Sequence, residues 1–165
     1  MRFRSFARSR SCGMSAIEIV VAAAIIISIT AAAASAWSFY IRTSGDNGDR
    51  IQAMLLTEEA SEALRILRDT SWNGTIASLS LETPYDIVWN GSLYSTTDIL
   101  PVIQDRYRRS IIMSEVKRDP ETDDVSETGT ADPDTRKVTV IISTTAETPE
   151  TLMQSEMLLH NTYGN

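Results

Sequence analysis

The sequence is poor in the residue types that most enzymes and metal sites use. Its 165 residues include one cysteine, Cys12, and one histidine, His160. A Cys/His zinc site needs about four ligands and a disulfide needs a pair of cysteines, so both are excluded. A catalytic triad would have to use His160, close to the end of the chain. No phosphate-binding loop or nucleophile elbow occurs, and the sequence predicts no enzyme, no metal site and no cofactor.

The chain also lacks an excess of positive charge. Its 15 basic and 22 acidic side chains give a net charge of −7, which argues against direct binding of nucleic acid. The basic residues are unevenly placed, because residues 1–13 hold four arginines and no acid, whereas residues 14–165 have a net charge of −11. A basic N-terminal tail ahead of an apolar run is typical of an export signal.

Charge, proline and glycine are all missing from Ile19 to Ile41, a run of 23 residues. As a helix this run is about 35 Å long, which is enough to cross the hydrocarbon core of a bilayer. Trp37 and Tyr40 lie at its far end, where aromatic side chains favour the membrane interface. Since the arginines precede the run, the positive-inside rule predicts a cytoplasmic N-terminus and an exported C-terminal part.

Glu18 is unusual because it places a carboxylate at the start of this apolar segment, where an unpaired charge is costly. A cut after Gly13 would free the amine of Met14 as its partner. Residues 13–22, GMSAIEIVVA, resemble the cleavage and methylation motif of type IV prepilins and type II secretion pseudopilins. In that family a membrane peptidase cuts after the glycine and methylates the new N-terminus, and the fifth mature residue is a glutamate. Gly13 and Met14 match the processing site, and Glu18 matches that glutamate.

The resemblance implies an organisation in three parts. Residues 1–13 are the leader peptide, residues 14–42 are a transmembrane and assembly helix, and residues 43–165 are a globular pilin-like α+β domain. The implied fold is a long N-terminal helix, with a membrane-spanning half and an amphipathic half, packed on a C-terminal antiparallel β-sheet. Cys12 would leave with the leader, so the mature chain would have no thiol.

The implied function is that of a structural subunit of a type IV pilus-like or type II secretion filament. The subunit would lie in the inner membrane with its N-terminus in the cytoplasm, and then in a periplasmic or extracellular filament. Its partners would be other pilin or pseudopilin subunits, the prepilin peptidase, an inner-membrane assembly platform and the lipid bilayer. Glu18 would set the register by pairing with the Met14 amine of a neighbouring subunit. The absence of a disulfide and of any proline before Pro84 favours a minor pilin or pseudopilin.

A different interpretation of the same N-terminus stays open. An ordinary signal peptide would use Ile19 to Thr30 as its apolar core and Ala34-Ser35-Ala36 as its cut site. The mature protein would then be an exported binding or adhesion domain, and without a cut the helix would remain as a membrane anchor. Neither alternative requires Gly13 or Glu18.

Downstream of the apolar run, the sequence predicts the amphipathic half of the helix. Residues 43–48, TSGDNG, predict a loop that breaks the helix, and Asp49 is the expected cap of a second half that runs to about Asp69. The predicted core face of this half consists of Ile51, Met54, Leu55, Ala60, Ala63, Leu64 and Leu67.

Strand signals follow the second half of the helix. Residues 85–89 and 92–96 predict a hairpin around a type I′ turn at Asn90-Gly91. The last strand is expected to pair with the one before it, which gives an antiparallel sheet of about four or five strands. These further strands are predicted at residues 107–116, 136–145 and 152–163, and a helix is the alternative for the last of these segments.

The segment 118–135 predicts a solvated acidic loop, because seven acids and no base occur between Asp119 and Asp134. Clustered carboxylates are also calcium ligands, but their spacing here is not that of an EF-hand. Asn73-Gly74-Thr75 and Asn90-Gly91-Ser92 match the N-glycosylation sequon, and the second match is better explained as a turn.

Overall fold

The computed structural model describes residues 15–164. Contacts divide the chain into two units with the boundary after Gly45. One helix, α1, spans Ala16–Thr70, and a π-helical turn at Trp72–Ile76 follows it. The strands come next in the chain, and they are β1 Pro84–Trp89, β2 Tyr94–Thr97, β3 Tyr107–Arg118, β4 Thr130–Thr144 and β5 Thr151–His160.

The five strands form one antiparallel sheet in the order β2-β1-β3-β4-β5. The part of α1 that lies in the second unit packs on this sheet and closes a single apolar core. The fully buried large side chains of that core include Leu64, Trp72, Ile76, Ile111, Met113, Val138, Val140, Ile142 and Leu159. The predicted α+β fold, with an N-terminal helix on a C-terminal antiparallel sheet, is therefore confirmed.

The predicted break in the helix at residues 43–48 is wrong, because α1 continues through them. A glycine inside a helix costs only about 1 kcal/mol relative to alanine, and two such costs do not outweigh continuous backbone hydrogen bonding on both sides. Asp49 is therefore not a helix cap. Its carboxylate accepts hydrogen bonds from the Tyr107 hydroxyl at 2.8 Å and from Nη2 of Arg106 at 2.5 Å, which joins the helix to the start of β3.

The predicted core face of the helix is correct from Ala60 onward and wrong before it. Ile51, Met54 and Leu55 are about half exposed, and the buried positions in these turns are instead Ala53, Leu56 and Thr57. The spacing of the first three residues is helical, but their stripe is rotated away from that of the residues after Ala60. Thr57 can replace an apolar residue because its hydroxyl donates to the Ala53 carbonyl at 2.8 Å.

The β1–β2 connection is longer than predicted. Trp89 pairs with Tyr94, so the loop contains Asn90, Gly91, Ser92 and Leu93 instead of Asn90 and Gly91 alone. Only Gly91 has a positive φ, 97°, which excludes a type I′ turn. The Asn90 side chain stabilises the longer loop instead, because its Oδ1 accepts hydrogen bonds from the backbone N–H groups of Ser92 and Leu93.

The last three strands overlap the predicted segments, although β4 begins before the predicted Arg136, and β5 pairs with β4 as predicted. The acidic loop is shorter than the predicted 118–135, because β4 already begins at Thr130. The connection turns back tightly: a Cβ on Gly129 would come within 2.0 Å of the Arg118 carbonyl oxygen, so this position requires glycine. Further along, residues 133–135 bulge out of the ladder, since Glu115 pairs with Arg136 while Val116 pairs with Asp132.

Arg109 is a buried charge that connects the helix to two strands. Its side chain extends from β3 and is 3% exposed. Its Nε donates to Oδ1 of Asp86 on β1 at 2.6 Å, and its Nη2 donates to the Ile87 carbonyl at 2.7 Å. Its Nη1 reaches Glu59 on α1 at 3.1 Å. Because β1 pairs with β3 only through Pro84 and Tyr85, the guanidinium supplies the connection where the backbone ladder ends.

We expect Arg109→Met to reduce the free energy of unfolding by about 3–5 kcal/mol, because it leaves the carboxylate of Asp86 buried and unpaired. Arg108→Met is the matched control, since Arg108 is the exposed neighbour on the same strand and its loss should change stability by less than about 0.5 kcal/mol. Unfolding of the full chain by guanidinium chloride in detergent measures both free-energy changes. Equal effects of the two substitutions would contradict the role given to Arg109.

Candidate functional site

The N-terminal end of α1 holds Glu18 in a defined hydrogen-bonded turn. The Ser15 backbone N–H donates to Oε2 of Glu18 at 2.9 Å, and the Glu18 N–H lies 3.4 Å from the Ser15 hydroxyl oxygen. This reciprocal pair is a capping box, in which the two side chains satisfy N–H groups that the first helical turn leaves free. Sequence reasoning missed it, although Ser-x-x-Glu before an apolar run is its recognisable signal.

Of the three residues predicted for processing and assembly, Glu18 alone falls within the part of the chain that the structure describes. Gly13 and Met14 lie outside residues 15–164, as does the leader with Cys12. The pairing of Glu18 with a Met14 amine therefore stays a prediction. The capping box uses the Ser15 amide, which would still be an amide after a cut at Gly13, so the box is compatible with the processed chain.

The apolar part of α1 is exposed within residues 15–164. The large side chains from Ile17 to Ile41 are each at least half exposed, and they are Ile17, Ile19, Val20, Val21, Ile25, Ile26, Ile27, Ile29, Trp37, Phe39, Tyr40 and Ile41. The helix is long and apolar enough to cross a membrane by length and composition, criteria that a signal sequence also meets. Its exposure distinguishes it from the core helix of a soluble protein.

The polar side chains within this segment suit an apolar surrounding. The hydroxyls of Ser28, Thr30, Ser35 and Ser38 each donate to the backbone carbonyl four residues earlier, at 2.8–3.0 Å. A hydroxyl bonded in this way needs no water, so it does not oppose burial in lipid or against another helix. Trp37 and Tyr40, which mark the far end of the run, lie with ring centroids 6.2 Å apart.

A further polar network lies around the bulge in β4. Asp132 Oδ2 accepts hydrogen bonds from Nε of Arg118 and from the Thr135 hydroxyl, both at 2.6 Å. These two donors hold the pKa of Asp132 down at about 2, and the Thr135 hydroxyl has the larger effect. Nδ1 of His160 lies 3.0 Å from the same hydroxyl.

This network clamps β3, the bulge in β4 and the end of β5 together. The Thr135 side chain is 1% exposed, so its oxygen is closed to a substrate, and its proton is committed to Asp132. His160 ends β5 and pairs with Thr135 of β4, so of the two predicted positions, a strand or the tail, it lies in a strand. Among residues 15–164 no group of three or more His, Cys, Asp or Glu side chains could hold a metal ion.

Comparisons of the chain with models of known protein families, with curated proteins and with solved structures find no match.

The Asp132 network predicts a loss of stability in acid. Because the folded-state pKa of Asp132 is about 2 and its ordinary value is 3.8, its stabilisation is complete above about pH 4 and is lost as the pH falls toward 2. We expect Asp132→Asn to cost roughly 2 kcal/mol at neutral pH and to flatten this part of the stability profile. Unfolding of the full chain at stepped pH values measures the slope.

Glu127→Gln is the control for this experiment, since Glu127 is an exposed carboxylate in the same acidic connection. It should leave the slope between pH 4 and 2 unchanged. A wild-type slope in the Asp132→Asn variant would mean that other carboxylates carry the acid sensitivity.

Proposed function

We propose that this chain is a structural subunit, a minor pilin or pseudopilin, of a type IV pilus-like or type II secretion filament. The observation that carries the proposal is the start of α1. There a carboxylate, Glu18, sits directly before a 23-residue apolar helical run that no other part of the described chain covers. Gly13, five residues before Glu18, supplies the matching processing position.

The proposed route begins in the inner membrane, with the arginine-rich leader in the cytoplasm and the domain outside. A prepilin peptidase cuts after Gly13 and methylates Met14. An assembly platform then moves subunits out of the bilayer, and the exposed helix exchanges lipid contacts for contacts with the helices of other subunits. This exchange keeps apolar surface away from water throughout.

Glu18 has two roles in this proposal, one within its own chain and one between subunits. Within one chain its Oε2 caps the first helical turn through the Ser15 N–H. The cap does not remove the negative charge, and a single neutral donor leaves a carboxylate in an apolar medium poorly compensated. A positive partner from a neighbouring subunit supplies that compensation, and the Met14 amine is the proposed one. An incoming subunit is then favoured only at the axial position where the two groups meet.

Processing is tested by the N-terminal residue and mass of the protein recovered from membranes of its native host. We expect the chain to begin at methylated Met14. Gly13→Leu should leave the leader attached, because a side chain at this position blocks access of the peptidase to the peptide bond. Ser5→Leu, which places the same side chain elsewhere in the leader, should be cut normally.

Two outcomes would contradict this prediction of processing. A Gly13→Leu chain processed like wild type would exclude the prepilin pathway. A mature chain beginning at Trp37 would indicate an ordinary signal peptide and an exported binding or adhesion domain.

The register role is tested by substitutions that separate the charge of Glu18 from its cap. Glu18→Gln keeps an acceptor for the Ser15 N–H and loses the charge, whereas Glu18→Val loses both. We expect both variants to insert in the membrane and to be cut, and both to enter filaments at least about tenfold less than wild type, since an unpaired N-terminal amine is costly.

Ser15→Ala is the reciprocal control, because it removes the capping hydroxyl and keeps the charge. Its incorporation should be close to that of wild type. If Glu18→Gln also assembles normally while Glu18→Val does not, Glu18 acts as a helix cap only, and the register proposal is wrong.

A further inference from the structure

The chain contains Asn-Gly in three places, and the structure holds each pair differently. Asn47-Gly48 lies inside α1, Asn73-Gly74 lies in the π-helical turn, and Asn90-Gly91 lies in the exposed β1–β2 loop. Asn-Gly is chemically special because glycine leaves its backbone nitrogen open to approach the preceding side chain. These pairs therefore form an internal comparison of the same reactive sequence in three backbone settings.

We propose that Asn90-Gly91 is a self-modification site. The Gly91 nitrogen attacks Cγ of Asn90 and forms a new C–N bond with it. The same nitrogen loses its proton to solvent hydroxide. The bond between Cγ and Nδ2 of Asn90 breaks, and Nδ2 takes up a proton from water and leaves as ammonia. The resulting succinimide is opened by water at either carbonyl, which gives aspartate or isoaspartate. No oxidant, reductant or cofactor is needed, and water is the only co-reactant.

The hydrogen bonds of the loop favour this reaction at Asn90. The Ser92 N–H donates to Asn90 Oδ1 at 3.0 Å, and the Leu93 N–H donates to the same oxygen at 2.9 Å. Negative charge develops on Oδ1 when Cγ is attacked, so two fixed N–H donors stabilise the tetrahedral intermediate in the manner of an oxyanion hole. The same two bonds polarise the carbonyl before attack.

The nucleophile is also available at this site. Within the part of the chain that the structure describes, the Gly91 N–H donates no hydrogen bond. Gly91 has a φ of 97°, and both Asn90 and Gly91 are exposed, so water can reach the amide and remove ammonia. The Asn90 N–H donates to the Leu93 carbonyl at 3.2 Å, which joins the two ends of the loop.

The other two pairs lack this arrangement. The Gly74 N–H already donates to the Ser71 hydroxyl at 3.1 Å, so attack there requires that bond to break. Gly48 lies in the interior of α1, where ring closure would force Asn47 out of the helical conformation. Both pairs should therefore react more slowly in the folded protein than in an unfolded chain.

The test is peptide mapping of the full chain after incubation in detergent at neutral and mildly alkaline pH. The conversion at each Asn-Gly pair is compared with that of the same chain unfolded in guanidinium. We expect Asn90 to convert at least about tenfold faster in the folded chain than in the unfolded one. Asn47 and Asn73 should convert more slowly when folded.

Asn90→Asp is the matched control. The aspartate keeps an acceptor for the Ser92 and Leu93 N–H groups, so the loop should fold as in wild type, and the mass change of this peptide should disappear while the other two sites are unaffected. A folded-state rate at Asn90 equal to or below the unfolded-state rate would overturn the proposal, because the loop would then protect the site.

Discussion

The apolar surface of α1 is the constraint on which the rest of this protein depends. Twelve large apolar side chains between Ile17 and Ile41 are exposed. Removing each from water is worth about 1.5–3 kcal/mol, so together they amount to roughly 18–36 kcal/mol. A typical domain is stable by only about 5–15 kcal/mol. Transfer of this apolar surface out of water is therefore a larger free-energy term than the folding of a typical domain.

The position of Glu18 beside this apolar surface makes its charge costly. In water a capping-box glutamate is an ordinary stabiliser of a helix start, and the Ser15 pair needs no further explanation. At the border of an apolar segment the same carboxylate keeps a charge that one amide donor does not compensate. The local cap and the proposed partner in a neighbouring subunit are compatible, because Oε2 accepts the Ser15 N–H and a carboxylate has further acceptor sites.

The parts of the structure that the sequence predicts are those governed by local pattern. The apolar run, the strands at β3 to β5 and the helix face from Ala60 onward all follow from periodicity and β-branched content. The errors occur where weak local signals compete with tertiary contacts. Gly45 and Gly48 suggest a break, but helix continuity outweighs their cost, and Asp49 finds partners on the strand side instead of capping a helix.

The two polar networks show a different limit. The ion pair of Arg109 and Asp86 joins residues on two strands, and the clamp of Arg118, Asp132 and Thr135 depends on a bulge in β4. Residue spacing along the chain predicts neither contact, because both depend on how the strands are placed side by side. The capping box is the opposite case, because its two residues are three apart and its signal lies within a single turn of the sequence.

Arg109 also explains how the helix is joined to the sheet in the second unit. Most of that contact is apolar, and apolar packing alone permits a helix to slide by small steps. A guanidinium bonded at once to Glu59, Asp86 and the Ile87 carbonyl allows one position, because any shift leaves a buried charge without a partner. The directional bonds of Arg109 therefore fix this part of α1 on the sheet, where apolar contacts alone would let it slip.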